Sequence, residues 1–319
     1  MSTNSDWDII DFHTHIRPPG SEPLSLPGVQ FSDSERAAQQ SRFRRLVDVD
    51  GLVRESEENG IRLRILSATI EGFFGTTGPT DIDRIRRVND FLAETQRAHA
   101  GKFLGLATID AFSGEVGARE VERAVLELNL AGIVIDSSRD QRYPGDAVAR
   151  PALEAAAALK VPVFIHPVGA PCSEQLSRNG GVPAYALGRG FVNGLALLSV
   201  LRSGVMEELP DLHVIFTALG SGALWVAAEE TAAFPREKDL IGARPNIYFD
   251  IMGFHPATIR YLVDFLGAGR VVTGSDWPIC RPLSRTALAA AFESAGLNPE
   301  QQQLVAEGNV RRLLSLRAA

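Results

Sequence analysis

Only two cysteines, Cys172 and Cys280, occur in 319 residues. Both lie beside prolines, so a disulfide framework is excluded as the basis of the fold and two free thiols are expected. Membrane-length apolar runs are missing as well, since no continuous stretch reaches the ~18 apolar residues of a span. Residues 1–8 are polar and lack a positively charged start ahead of an apolar segment. No signal peptide or membrane partner is therefore expected, and the chain is expected to be cytoplasmic. Basic charge is in deficit: the formal net charge is -7 with signs interspersed, which argues against nucleic acid as a partner. The densest basic cluster is Arg42, Arg44 and Arg45, either a solvated face or a clamp for an anionic substrate. Repeats, low-complexity tracts and linkers are absent, so residues 1–319 read as a single domain.

What is present is the composition of a globular enzyme, 45% hydrophobic and 22% charged. Short β-branched runs alternate with longer helical patterns, the signature of parallel βαβ units. Strands are predicted at 8–12, 61–66, 103–109, 132–135, 161–165, 214–217, 247–251 and 271–273. Helical spacing predicts 81–99, where Ile82, Ile85, Val88 and Leu92 share a face, and 114–128, with Val121, Val125 and Leu128. Further helices are predicted at 152–159, 193–206, 257–266 and 284–294. This order predicts a (β/α)8 TIM barrel, whose functional site is built at the carboxyl ends of the strands. Residues 17–50, with Pro18, Pro19, Pro23 and Pro27, are too long for a plain connection and read as a lid or an insertion.

Three strand ends carry metal-binding residue types. Asp11-Phe12-His13-Thr14-His15 ends the first strand, and side chains two apart on a strand point to one face, so both imidazoles can converge on a cation. His166 ends the fifth strand, in Val163-Phe164-Ile165-His166-Pro167. Asp276 follows the eighth, in Thr273-Gly274-Ser275-Asp276-Trp277-Pro278, as a ligand or as a helix cap. Three imidazoles and a carboxylate leave a coordination position open on one divalent ion, zinc first and manganese second.

The chain resembles the amidohydrolase-related proteins of the aminocarboxymuconate-semialdehyde decarboxylase group, metal-dependent TIM barrels of the amidohydrolase type. The pattern of that group is an HxH on strand 1, His on strands 5 and 6, and Asp on strand 8. The resemblance runs from Ile10 to about Leu316 and is carried by the HxH segment, Phe103-Leu104-Gly105-Leu106-Ala107-Thr108, Phe164-Ile165-His166-Pro167, residues 204–212, Gly274-Ser275-Asp276-Trp277-Pro278 and Gly308-Asn309-Val310. It implies His13, His15, His166 and Asp276 as the metal ligands. It further implies a small carboxylated, aromatic or unsaturated substrate, with nonoxidative decarboxylation ahead of hydrolysis of a lactone, amide or C–C bond. Dimers are common in this group, so a homodimer is among the expectations.

One position departs from the pattern. Ala218, in Thr217-Ala218-Leu219-Gly220, stands where the family usually has a proton-handling histidine. His213 lies at the other end of that strand, roughly 16 Å away, and reads as a surface residue. Three readings follow: the chain is an altered, catalytically disabled variant; it binds metal and ligand without turnover; or it uses another base. For the last, His255 after the seventh strand is the expected residue, with Asp276 as both ligand and proton acceptor. Arg17, Arg44 and Arg189 are candidates for a substrate carboxylate, and Trp277 and Phe74 for stacking on an aromatic ring.

Overall fold

The β-branched runs form eight strands: β1 (Ile10–His15), β2 (Leu63–Ser67), β3 (Phe103–Thr108), β4 (Gly132–Asp136), β5 (Val163–His166), β6 (Val214–Phe216), β7 (Ile247–Asp250) and β8 (Val271–Val272). In this computed structural model, which describes residues 7–23, 31–75, 78–233, 241 and 244–316, each strand pairs in parallel with the next in sequence order. The ring closes where the Phe12 N–H donates to Thr273 O at 2.8 Å and the His15 N–H to Trp277 O at 2.9 Å. The result is the predicted TIM barrel.

Alternation along the strands sorts the core into two layers. Ile10, Ile65, Leu106, Val134, Phe164, Ile215, Tyr248 and Val272, one from each strand, share the barrel interior. Their neighbours Leu66, Ala107, Ile133, Ile165, Phe216 and Phe249 face the surrounding helices. Because both faces are buried, these strands read as nearly unbroken apolar runs rather than as polar–apolar alternation. The helices are α1 (Asp33–Val47), α2 (Val49–Glu58), α3 (Thr69–Phe73), α4 (Ile82–Ala98), α5 (Glu115–Leu126), α6 (Arg150–Ala158), α7 (Ser173–Arg202), α8 (Val205–Glu208), α9 (Gly222–Ala233), α10 (Pro256–Leu266), α11 (Arg285–Ser294), α12 (Pro299–Gln303) and α13 (Asn309–Ser315). Val310 and Leu313 of α13 pack with Ile10, Leu63 and Leu104. They plug the amino end of the barrel and leave the carboxyl end open.

Two departures from the predicted elements matter for the site. The segment expected as a lid contains α1, started by a Ser32–Glu35 capping box and burying only Leu46; residues 24–30 lie outside the described residues. The helix expected at 193–206 is instead the carboxyl end of α7, which ends at Arg202, and the start of α8 at Val205; α7 is kinked at Gly181, where φ is 62°. One window of α7 has a mean hydropathy of 1.4, long and apolar enough by composition to cross a membrane. Here Ala196, Leu197, Val200 and Leu201 use that apolarity to pack on the barrel.

Candidate metal centre

β1 does not run with an even pleat. Between Asp11 and Thr14 its register against β2 shifts, so that three steps on β1 match two on β2. This bulge moves the alternation by one residue. Phe12 and His13 consequently both reach Phe164 inside the barrel, with ring centroids 5.5 and 4.9 Å away, and His15 follows on the same face. Asp11 holds the bulge: it accepts from Arg64 Nη1 at 2.5 Å, from the Ser275 hydroxyl at 2.6 Å and from the Ser275 amide at 2.8 Å. Gly274 permits the close approach of β7, β8 and β1, since a Cβ there would stand 2.9 Å from those of both His13 and Asp250. Asp276 is held at φ +54°, a conformation that costs about 1–3 kcal/mol in a non-glycine residue and clusters at functional sites.

These segments bring His13, His15, His166 and Asp276 together, all buried, with one candidate ligand atom of each within 4.8 Å of the others. His13 Nε2 lies 3.0 Å from His15 Nε2, and Asp276 Oδ1 lies 3.4 and 3.3 Å from those two nitrogens. Donors ~2.0–2.2 Å from a common ion stand roughly 3.0–3.5 Å apart, so the spacing suits one. Protonation states agree. His13 Nδ1 is 2.5 Å from Asp250 Oδ2 and His15 Nδ1 is 2.9 Å from Ser67 Oγ; with Nδ1 as donor in each ring, two Nε2 lone pairs face each other at 3.0 Å, a repulsion that a cation between them turns into attraction. His166 Nδ1 is buried with no hydrogen-bond partner among the described residues. The residues present therefore fit a divalent metal ion.

Charge follows the same logic. Burial pushes the His166 pKa well below its ordinary value, with His15, His13 and Arg189 adding to the effect. His15 is also lowered, mainly by burial. For Asp276, burial favours the neutral acid, but the imidazoles of His13 and His15 outweigh it and hold the pKa below the usual carboxylate range. Burial likewise opposes a charge on His13, yet Asp250 and Asp276 reverse the sign and raise its pKa. Neutral His15 and His166 and an ionised Asp276 are the forms that ligate metal, and His13, whose raised pKa favours the imidazolium, must give up its Nε2 proton to join them.

Above the cluster opens a cavity of about 990 Å³, counting its mouth. His15, His166 and Asp276 form its floor; Ile70, Phe74, Val168, Leu219, Met252 and Ile279 make apolar walls, and Gln39, Arg42, Tyr185, Arg189 and Cys280 add polar groups. Several expected residues lie elsewhere. His255 is exposed and its Nδ1 accepts from the Ala257 amide at 3.2 Å as the N-cap of α10, outside the cavity lining. Arg17 is committed to Glu71 Oε2, from Nη2 at 2.6 Å, and stands over Phe43. Arg44 is exposed, while Arg42, two residues or about 200° of helix earlier, reaches the cavity. Trp277 is buried, donates from Nε1 to Glu55 at 3.0 Å and carries Arg45 on its ring. His213 is half-buried beside Tyr248 rather than on the open surface. Arg189 and Phe74 do line the cavity.

Two residues escaped the sequence reading. Asp250 closes β7 and is fully buried; besides His13 it accepts the amides of Ala218 at 2.8 Å and Met252 at 3.0 Å. Ser67 ends β2 and orients His15. Their signal was only position, each being a polar residue that ends an apolar strand at the functional face. Ala218 itself opens the turn after β6, its amide one carboxylate away from His13.

An eight-stranded barrel with a buried His/His/His/Asp cluster at its strand carboxyl ends defines a metal-dependent barrel enzyme. The family profile described as amidohydrolase matches residues 10–316. The chain belongs to that family. Among characterised relatives, gamma-resorcylate decarboxylase of Polaromonas sp. is 28% identical over 295 residues, spanning 85% of this chain and 89% of the relative. The 2-amino-3-carboxymuconate-6-semialdehyde decarboxylase of Dictyostelium discoideum is 26% identical over 314 residues, 89% of this chain and 85% of that one. A solved structure of a dihydroxybenzoic acid decarboxylase from Polaromonas sp. JS666, with bound manganese and the inhibitor 2-nitroresorcinol, covers 98% of each chain at 24% identity with a TM-score of 0.79.

Proposed function

We propose that the chain is a metal-dependent, nonoxidative decarboxylase of small aromatic or unsaturated carboxylic acids. The observation that carries this reading is a complete metal-ligand set on the floor of a cavity whose walls are otherwise apolar and cationic. The relatives' names point to the same chemistry. His13, His15, His166 and Asp276 would hold the ion, zinc by the preference of a three-imidazole set and manganese by the precedent of the Polaromonas structure. When bound, a divalent ion supplies Lewis-acid polarisation of substrate oxygens and a water of lowered pKa.

The chain's own residues do the rest. Ile70, Phe74 and Met252 take the ring or unsaturated chain. Arg42, half-buried with no ion pair among the described residues, meets an anionic group near the mouth. Asp276 directs Oδ1 towards His13 and His15 and leaves Oδ2, among the described residues, with only the weak Cys280 Sγ donor at 3.5 Å. Oδ2 is thus the oxygen free to take up a proton from solvent in the cavity and pass it to the carbon bearing the carboxylate; the bond to the carboxyl group then breaks, its electron pair restores the unsaturated system, carbon dioxide leaves, and Asp276 returns to its ionised form. That assignment places proton transfer on Asp276 rather than on a residue at position 218.

The test is a product-identified screen of aromatic and muconate-type acids with metal-loaded protein. Carbon dioxide release in stoichiometry with the decarboxylated product is expected, and a ring-opened product that has gained water would mean a hydrolase instead. Asp276→Asn should lower turnover by about 10²-fold or more. Ala218→His should change it only a few-fold; a hundred-fold gain would identify the chain as lacking its proton carrier. We also propose that the chain forms a homodimer through the apolar faces of α7 and α9.

A further inference from the structure

Arg189 sits in an unusual stretch of helix. In Gly188-Arg189-Gly190 the second glycine is required by a close backbone contact, since a Cβ at 190 would lie 2.6 Å from the carbonyl oxygen of Leu219, whereas one at 188 would meet the flexible end of Leu176 at 2.4 Å. Gly190 thereby lets α7 rest on the turn 218–220 that follows β6, the place where the family pattern has its histidine and this chain has Ala218. Between the glycines, the Arg189 guanidinium donates from Nε at 2.9 Å and from Nη2 at 2.6 Å to Pro167 O. Pro167 follows the ligand His166, so the cation and the metal ligand are parts of one rigid unit. The guanidinium carbon also stands 6.0 Å from the centre of the Tyr185 ring.

Two features remain unexplained by packing. Arg189 has no ion pair among the described residues, although it is half-buried. It lines the cavity together with His15, His166 and Asp276. An arginine anchored on one edge, unpaired on the other and facing a metal-ligand cluster is arranged as a receptor for a planar anion. The anion meets repulsion from the Asp276 carboxylate on the same floor, and a fixed cation offsets it.

We propose that Arg189 binds the substrate's carboxylate beside the metal, supplying the positive charge on the β6 side of the cavity that Ala218 cannot. The inference rests on the reading of the substrate as a carboxylic acid. Arg189 is a binding residue and not a proton carrier, because a guanidinium stays protonated throughout the working range.

The experiment compares 2-hydroxybenzoate with 2-hydroxybenzamide by calorimetry on manganese-loaded protein, in the wild type, Arg189→Gln and Arg189→Lys, with metal content measured in each. The two probes share a ring and differ in charge. Arg189→Gln should weaken the acid about 10- to 100-fold and leave the amide within about three-fold, metal content unchanged. Arg189→Lys should recover part of the acid affinity only, since an ammonium cannot hold Pro167 O and an anion in one plane; it carries the test if the glutamine variant loses metal. Unchanged acid affinity in a metal-loaded variant, or equal loss for acid and amide, overturns the inference alone. A metal-loaded wild type that binds the amide as well as the acid overturns the carboxylic-acid reading and this inference together.

Discussion

Asp250 does for His13 what no spacing rule announces. Its carboxylate takes the Nδ1 proton and two backbone amides at once, which fixes the ring and leaves Nε2 for a metal. Outer carboxylates of this kind typically contribute 10- to 100-fold in metal affinity. Asp250→Ala should therefore weaken manganese or zinc binding by about that factor in a chelator competition, while Asp250→Asn, whose amide oxygen can still accept from Nδ1, should lose less. Equal metal affinity in the alanine variant and the wild type would remove Asp250 from the site. The four clustered residues were legible because the histidines lie on β1 and β5 and Asp276 follows β8 at the functional face. Arg17 and Trp277 were misplaced for the opposite reason: the groups that claim them, Glu71 and Glu55, are 54 and 222 residues away in sequence.

Among the elements, α1 shows how far a helical period can be trusted. Gln39 and Arg42, three residues apart, share the face over the cavity, and Arg44 points away from it. The basic cluster was visible in the sequence, but the face it presents depends on how α1 docks, and only Leu46 is buried enough to anchor that docking. Arg42→Ala should raise KM about 10- to 100-fold with metal content unchanged, and Arg44→Ala should stay within about two-fold. Similar KM values for the two variants would mean that α1 does not reach the substrate. On β1 the two-residue period held for His13 and His15 but failed one step earlier, since the bulge turns Phe12 and His13 inward together. Nothing in a string of residues marks where a ladder takes an extra one.

At the scale of the whole molecule, the outer layer leaves an apolar face. Leu187 and Phe191, one turn apart on α7, are 75% and 64% exposed, and Trp225 on the neighbouring α9 is 59% exposed. Aromatic side chains bury roughly 150–250 Å² each, so this face alone offers a substantial part of the ~800 Å² that one partner contributes to a stable interface. Sedimentation should show a dimer that Phe191→Asp dissociates, with the fold intact by circular dichroism; a monomer at micromolar concentration would assign the face to something else. The sequence by itself determined the barrel, because eight apolar runs separated by helical patterns have few other ways to bury both faces. It also singled out the four residues that cluster at the open face, His13, His15, His166 and Asp276, because strand ends at the open face of a barrel converge whatever fills the core. Only the tertiary structure decided which polar residues surround them. Asp250, Arg42 and Arg189 reach the site through the close approach of segments far apart in the chain, whereas His255, Arg17, Arg44 and Trp277 are drawn off by a helix cap, an ion pair, a helix rotation and a buried hydrogen bond. Long-range packing makes those choices, and no local pattern encodes them.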